Sequence, residues 1–365
     1  MKLSVDKNLL LKHLSYTQGV VDTRSQMMVL SHILFRTEQG RLYLSSTDLE
    51  SSIHTSIPAN ISEDGGVCLP AKKILEITEK IPDQDVKIST NKNDQVEIDY
   101  STGKTKIKTL PTEDFPEIPK PEDFSYVTIE SVLLEGALQK TLYSVGSDDI
   151  KKNLTGVFFD MTTQNKLILV TTDGHRMSLT EEDFQNTING SFILPKKAAQ
   201  ELKRFIKDTG VVSVGYTKSF FICDNGQTSI LSRLVGVEFP EYKRVIPNNF
   251  SNTFEVEKKQ LLESLQRVSV VLSEKTKGAR IFITKDGLEI KSTSDEGETV
   301  ETIHTAGAEK NIEVGFNVKY LIDALSTFSE EKVFICVNDE ISPVCIYSNK
   351  NNKHQQLAIV MPMRV

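Results

Sequence analysis

Thr171-Thr172-Asp173-Gly174-His175-Arg176 is the stretch whose residue types come closest to chemistry. An aspartate two residues from a histidine is a pairing that general acid–base catalysis uses. The chain contains its own control. At the corresponding place near its start it reads Ser46-Thr47-Asp48-Leu49-Glu50. The shared Thr-Asp therefore reads as a turn whose aspartate accepts from backbone donors. Only Gly174-His175-Arg176 is particular to the later copy, which favours a specialised binding surface over catalysis. Other catalytic patterns are missing from the sequence: it has no GxxxxGK[ST], no GxGxxG and no GxSxG. The six histidines (His13, His32, His54, His175, His304, His354) lack HxxxH or HxH spacing, so no metal site is expected. Cys68, Cys223, Cys336 and Cys345 each sit in an apolar run without a CxxC partner and read as buried reduced thiols. No cofactor is implied.

The elements that position these residues repeat. Lys2 to Pro58 reads as a strand, an amphipathic helix with Leu9, Leu10, Leu11 and Leu14, then alternating runs about the turn Glu38-Gln39-Gly40. The same order returns at Tyr126 and at Thr253, the last with an Asp286-Gly287 hairpin turn. A second kind of half-unit lies between, beginning at Gly66, Ser191 and Ile312. Six strand–helix–meander units pair into three domains, expected at 1–122, 123–249 and 250–365. The proposed joints, Pro119 to Asp123 and Pro247 to Ser251, are rich in turn formers. The fold class is α+β. No apolar run approaches a membrane span, and Lys2 and Lys7 interrupt any signal-like core, so a cytoplasmic protein without a membrane partner is expected.

The net charge of −7 over 365 residues argues against a nucleic-acid partner, but its distribution argues for one. At 100° per residue, Lys196, Lys197, Lys203, Arg204 and Lys207 fall on one side of a helix, opposite Ala198, Ala199, Leu202, Phe205 and Ile206. Lys72, Lys73 and Lys80 recur on the equivalent helix before it. Acidic residues gather in loops and at strand ends. Basic helical faces without aromatic interleaving suit sequence-blind contact with duplex phosphates, not single-strand stacking.

Three segments then resemble one family. Thr172-Asp173-Gly174-His175-Arg176, Phe239 through Pro247 and the ending Met361-Pro362-Met363-Arg364 are similar to the bacterial sliding clamp, the beta subunit of DNA polymerase III. The resemblance covers the whole chain. It implies a head-to-tail homodimeric ring with antiparallel sheets outside and helices lining the hole through which double-stranded DNA passes. It also implies a non-catalytic processivity factor that tethers partners at high local concentration. The implied partners are the clamp loader, the polymerase III alpha subunit, other polymerases and repair proteins.

By the same resemblance, partners dock a short motif against Leu154, Thr172, Gly174, His175, Arg176, Met177, Pro240, Arg244, Val245, Ile341, Pro343, Val360, Met361, Pro362, Met363 and Arg364. His175 and Arg176 are expected to orient the peptide, and Met361 and Met363 to adapt to its apolar end. The DNA-facing candidates are Arg24, Lys72, Lys73, Lys196 and Lys197, with Lys203 and Lys207 from the basic stripe and Lys151 and Lys152 from the loop that begins at Asp148-Asp149. Relatives carry aromatics in that loop; this chain does not. It also ends in Val365 where Leu is usual. For ring closure, Lys104, Lys106, Ile107 and Lys108 of one chain are expected to meet Val271, Leu272, Glu296, Glu298 and Glu301 of another, pairing Lys with Glu.

Overall fold

The computed structural model describes all residues except 83, 92, 121–123, 148–149, 186–187, 208, 250–251, 273–276, 306–310, 350, 352 and 365. Residues 121–123 and 250–251 of the two proposed joints, the Asp148-Asp149 loop start and Val365 thus lie outside the described residues.

Among the described residues there are six α-helices, α1 (Lys7–Thr17), α2 (Ala71–Lys80), α3 (Ser131–Thr141), α4 (Lys196–Ile206), α5 (Lys258–Val270) and α6 (Val318–Leu325), one for each expected unit. Two of their starts are capped by side chains. The Asp6 carboxylate accepts from Leu9 N at 2.7 Å ahead of α1, and Asn317 Oδ1 accepts from Lys319 N at 3.1 Å ahead of α6. Helices α3 and α5 begin at Ser131 and Lys258, ahead of their first buried leucines, Leu134 and Leu261.

Chain contacts divide the protein into two compact units, residues 1–132 with 197–234, and 133–196 with 235–365. The first unit holds a five-stranded and an eight-stranded antiparallel sheet; the second holds an eight-stranded and a four-stranded one. Each eight-stranded sheet forms by joining two sets of four at their edges. In the first unit, Ser51–Pro58 pairs with Thr228–Arg233; in the second, Arg176–Asp183 pairs with Gln356–Val360. The two-unit division therefore cuts the chain differently from the sequence repeat. Asn60–Glu63, a fifth strand against Lys2–Asp6, has no apolar alternation to announce it.

The repeat is also visible atom by atom. The Ser46 hydroxyl donates to Thr17 O at the end of α1, the Thr171 hydroxyl to Thr141 O at the end of α3, and the Ser292 hydroxyl to Val268 O near the end of α5. These contacts fasten each helix terminus to the third strand of its own unit. The four cysteines are buried free thiols, and burial pushes Cys68 up to about 12. No described helix is long and apolar enough to cross a membrane.

Buried His13 on α1 shares a 2.6 Å hydrogen bond with the Thr55 hydroxyl at the first sheet joint. Burial, with Lys12 and Arg41 nearby, lowers its pKa from 6.5 to about 4. The folded state then binds fewer protons than the unfolded state between these values, so this contribution falls as pH falls from 6.5 to 4. Urea melts should show about 2 to 3 kcal/mol of this stability lost between pH 7 and pH 4.5, and His13→Gln should flatten that part of the profile. Equal pH slopes in both proteins would contradict the assignment.

Candidate functional site: a partner groove and basic helical faces

The Thr-Asp turn is the same structure in both copies. Asp48 Oδ1 accepts from Glu50 N at 3.1 Å and Ser51 N at 2.7 Å; Asp173 Oδ1 accepts from His175 N at 2.9 Å and Arg176 N at 3.0 Å. Thr47 and Thr172 each bridge the turn, accepting from the residue two ahead and donating to the carbonyl four ahead. Both turns need a left-handed residue, Leu49 at φ 77° and Gly174 at φ 90°. Glycine adopts that conformation without strain, and leaves the surface above the later turn low. The remaining oxygen of Asp173 is taken by Arg176 Nε at 3.0 Å, so this carboxylate is a turn scaffold, as its copy predicts.

Arg176 is held from every side. Its Nη1 donates to Asp323 at 2.7 Å and its Nη2 to Tyr143 O at 3.0 Å. The guanidinium carbon lies 4.4 Å from the Tyr320 ring centroid and 5.4 Å from that of Tyr143. Burial opposes its charge, but the bonds to Asp323 and Asp173 outweigh burial and raise its pKa above the usual value. Arg176 is therefore a positioning residue that fastens α6 to the turn, and exposed His175 is left as the polar side chain facing outward. Tyr143, Tyr320 and Asp323 carry no motif and were not expected here; a lone carboxylate in the apolar helix VKYLIDAL was the available signal.

A recess of about 240 Å³ lies beside this turn, lined by Gly146, Lys151, Leu154, Asp173, His175 and Tyr320. The chain end is tied nearby in register. Arg176 pairs with Val360, Met361 N donates to His175 O at 2.9 Å and Met363 N to Gly315 O at 2.8 Å. Met361 and Met363 thus hang exposed side chains from a fixed backbone, and Val245 and Ile341 (84% exposed) add apolar surface in the same unit. Met177 and Val360 belong to the core beneath, at 2% and 1% exposure. Pro343 and Pro362 are half-buried; Pro240 and Arg244 are exposed, with Arg244 paired to Glu241.

The basic candidates are placed unevenly. Arg24, Lys72, Lys73, Lys151, Lys152 and Lys207 are exposed, and Lys203 is half-exposed. Lys196 donates to Val145 O at 3.3 Å, and Lys197 is paired with Asp48 at 2.5 Å. Arg204, read as part of the stripe, turns instead onto the carbonyls of Ser15 and Tyr16 at the end of α1. The expected Lys–Glu pairing between copies also meets a competing arrangement. Lys104 is paired with Glu97 and Asp99, Lys106 with Glu97, Glu298 with Lys291 and Glu301 with Arg267, all within the chain. Among the described residues no cluster of three or more metal-ligating side chains occurs.

Comparison with known proteins agrees with this geometry along the whole chain. Models of the N-terminal, central and C-terminal domains of the DNA polymerase III beta subunit match residues 1–119, 128–241 and 243–364. The chain belongs to the DNA polymerase III beta subunit family. It is 26% identical to the beta sliding clamp of Vibrio cholerae and 28% identical to that of Pseudomonas putida, each over the full length of both chains. Among solved structures, the beta subunit of Thermotoga maritima superposes with a TM-score of 0.94 at 28% identity, over 100% of this chain and 99% of that one. The sliding clamp of Bartonella birtlesii, solved bound to griselimycin, gives 0.94 at 26% identity over all of both chains.

Arg176→Ala should leave the half-buried carboxylates of Asp173 and Asp323 without their cation. A destabilisation of about 2 to 3 kcal/mol is expected in chemical denaturation, less than for a fully buried pair, with Arg176→Lys intermediate because it cannot reproduce the fork. A loss below 1 kcal/mol would show that the cluster is not the fastening described.

Proposed function

We propose that this chain is a DNA sliding clamp acting as a closed homodimer around duplex DNA, in three domains of two units each. It tethers the clamp loader, the polymerase III alpha subunit, other polymerases and repair proteins through a short motif bound at the His175–Met361 groove. The protein itself carries no catalytic role in this reading.

The supporting observation is the state of the sheet edges. Two edge-to-edge joints are already made within the chain, each uniting four strands with four. One edge of each remaining sheet is an equivalent last strand left open: Gly103–Lys108 and Gly297–His304. Joining the first to the second of another copy continues both sheets and repeats the same joint head to tail. Ile107 and Leu272 supply apolar contact there, and the charges flanking them keep their partners within each chain. Two such joints close a ring. Topology then retains the DNA, and the helices need only diffuse positive charge.

Retention on nicked circular against linear duplex, after loading by a clamp loader in moderate salt, tests the reading. Retention on circles with loss from linear ends is the expected outcome. Equal retention on both would replace topology with contact binding.

The joint has its own test. Lys104, Lys106 and Lys108 are exposed, so changing all three to Glu should leave each chain folded. It sets like charges beside Glu97 and Asp99 and against an acidic edge. Sedimentation should then report a 40.9 kDa monomer; an unchanged dimer mass would remove this edge from the interface.

A further inference from the structure

A groove of about 800 Å³ lies in the first unit, on the sheet built by Ser51–Pro58 and Thr228–Arg233, and none of the candidate site residues lines it. Its floor has a counterpart within the same chain. In the first unit the strand register sets Leu34, Ser45, His54 and Ser229 in one rung across four strands. In the second unit the same rung is Phe158, Val170, Leu179 and Leu357. Three apolar positions have become two hydroxyls and an imidazole.

The cover differs as well. In the second unit residues 239–242 pack down onto the rung: Phe239 stacks on Phe158 with centroids 4.6 Å apart, and buried Tyr242 donates its hydroxyl to Asp160 at 3.0 Å. A recess of about 600 Å³ remains beyond Tyr242. The first unit has the same Phe-Pro-Glu, at Phe115-Pro116-Glu117, but Ile118 follows where Tyr242 stands in the second unit. There the segment lines the groove without filling it. The open floor holds a stacked Tyr43–His54 pair, with His54 hydrogen-bonded to the Ser45 hydroxyl at 2.8 Å.

Charge is inverted at the key position. Arg36 stands opposite Tyr43 where Asp160 stands opposite Ile168. Arg36 and Lys120 both line the groove and make no ion pair among the described residues. Glu38 and Glu117 lie on the same lining, so its cationic character is local to Arg36 and Lys120.

We propose that this groove is a second protein-docking site, which receives a peptide segment carrying an aromatic ring next to a carboxylate. The second unit shows what the seat accepts: an aromatic side chain presented by a turn, with its polar tip on the residue at position 160. In the first unit that residue is a cation, so the polar tip must be an acid. The ring lies over Tyr43 and His54, and the serine hydroxyls of the floor take the peptide's backbone groups. The site does not depend on the ring reading, since all of it lies in one unit.

The chain's own residues 237–242 provide the probe, because that segment contains Phe239 and Tyr242 beside Glu238 and Glu241. A fluorescent hexapeptide of this sequence should bind the full-length protein saturably, read by anisotropy. Arg36→Glu should weaken it about tenfold, as should replacing both peptide glutamates by glutamine. Ser229→Tyr, which fills the floor, should abolish binding while the melting temperature and retention on circular DNA stay unchanged. No saturable binding up to millimolar peptide would overturn the proposal. So would binding indifferent to both variants, which places the peptide elsewhere. Binding that ignores the loss of the peptide carboxylates would overturn the assignment of an acidic ligand.

Discussion

Everything in this fold depends on how its sheets dispose of their edges. A set of four strands backed by two helices buries one face but leaves backbone donors and acceptors along its sides. The chain satisfies two such edges by joining consecutive copies, and the joints are hydrogen-bonded by side chains as well as backbone. In the first unit, the Thr55 and Thr228 hydroxyls meet at 2.6 Å and Ser51 donates to Ser232 at 3.2 Å. In the second, the Thr180 hydroxyl donates to Gln355 O at 2.7 Å. Because α1 and α3 are also hydrogen-bonded to the joint strands, His13 with the Thr55 hydroxyl and the Ser178 hydroxyl with Lys140 O, a joint between sheets also fixes where these helices stand. The Thr-Asp turns sit at the ends of joint strands, which is why a specialised turn in one copy becomes a specialised surface.

Divergence between copies explains the rest of that surface. The hydrogen bond from Arg233 N to Glu50 O in the first unit matches that from Met361 N to His175 O in the second. In the second unit Arg176 ties the turn to Asp323. In the first, Ser51 takes the arginine's place and Glu201 that of Asp323. Glu201 packs against Gly19, where a β-carbon would lie 1.7 Å from its Oε2, and that oxygen is ion-paired with Arg204 Nη2 at 3.1 Å. Burial raises its pKa, although Arg204 and Lys197 pull the other way. The same backbone frame thus carries a cation cluster beside an open recess in one unit and a close-packed carboxylate in the other.

The sequence made the elements legible because amphipathic period and turn chemistry are local. All six helices, the meanders and the role of Asp173 could be read from spacing alone. Asn60–Glu63 escaped because a polar edge strand has no alternation. The joining of strands across copies escaped because pairing partners such as Ser51 and Ser232 lie 181 residues apart. The same distance hid the partners of Arg176: a carboxylate 147 residues away on α6 leaves no spacing to detect. The basic stripe was only partly readable, since helical geometry shows which lysines share a face but not that Asp48 and the end of α1 would engage Lys197 and Arg204.

That partial neutralisation bears on how the proposed ring would hold DNA. Each phosphate neutralised by a free cation steepens the salt dependence of contact and slows movement along the duplex. Lysines already paired with Asp48 or Glu76 contribute weak, exchangeable attraction. A protein retained by topology gains nothing from stronger contact, and a net charge of −7 limits adhesion outside the hole. An acidic chain with thinly charged helical faces is therefore consistent with a ring that must stay on DNA without stopping on it.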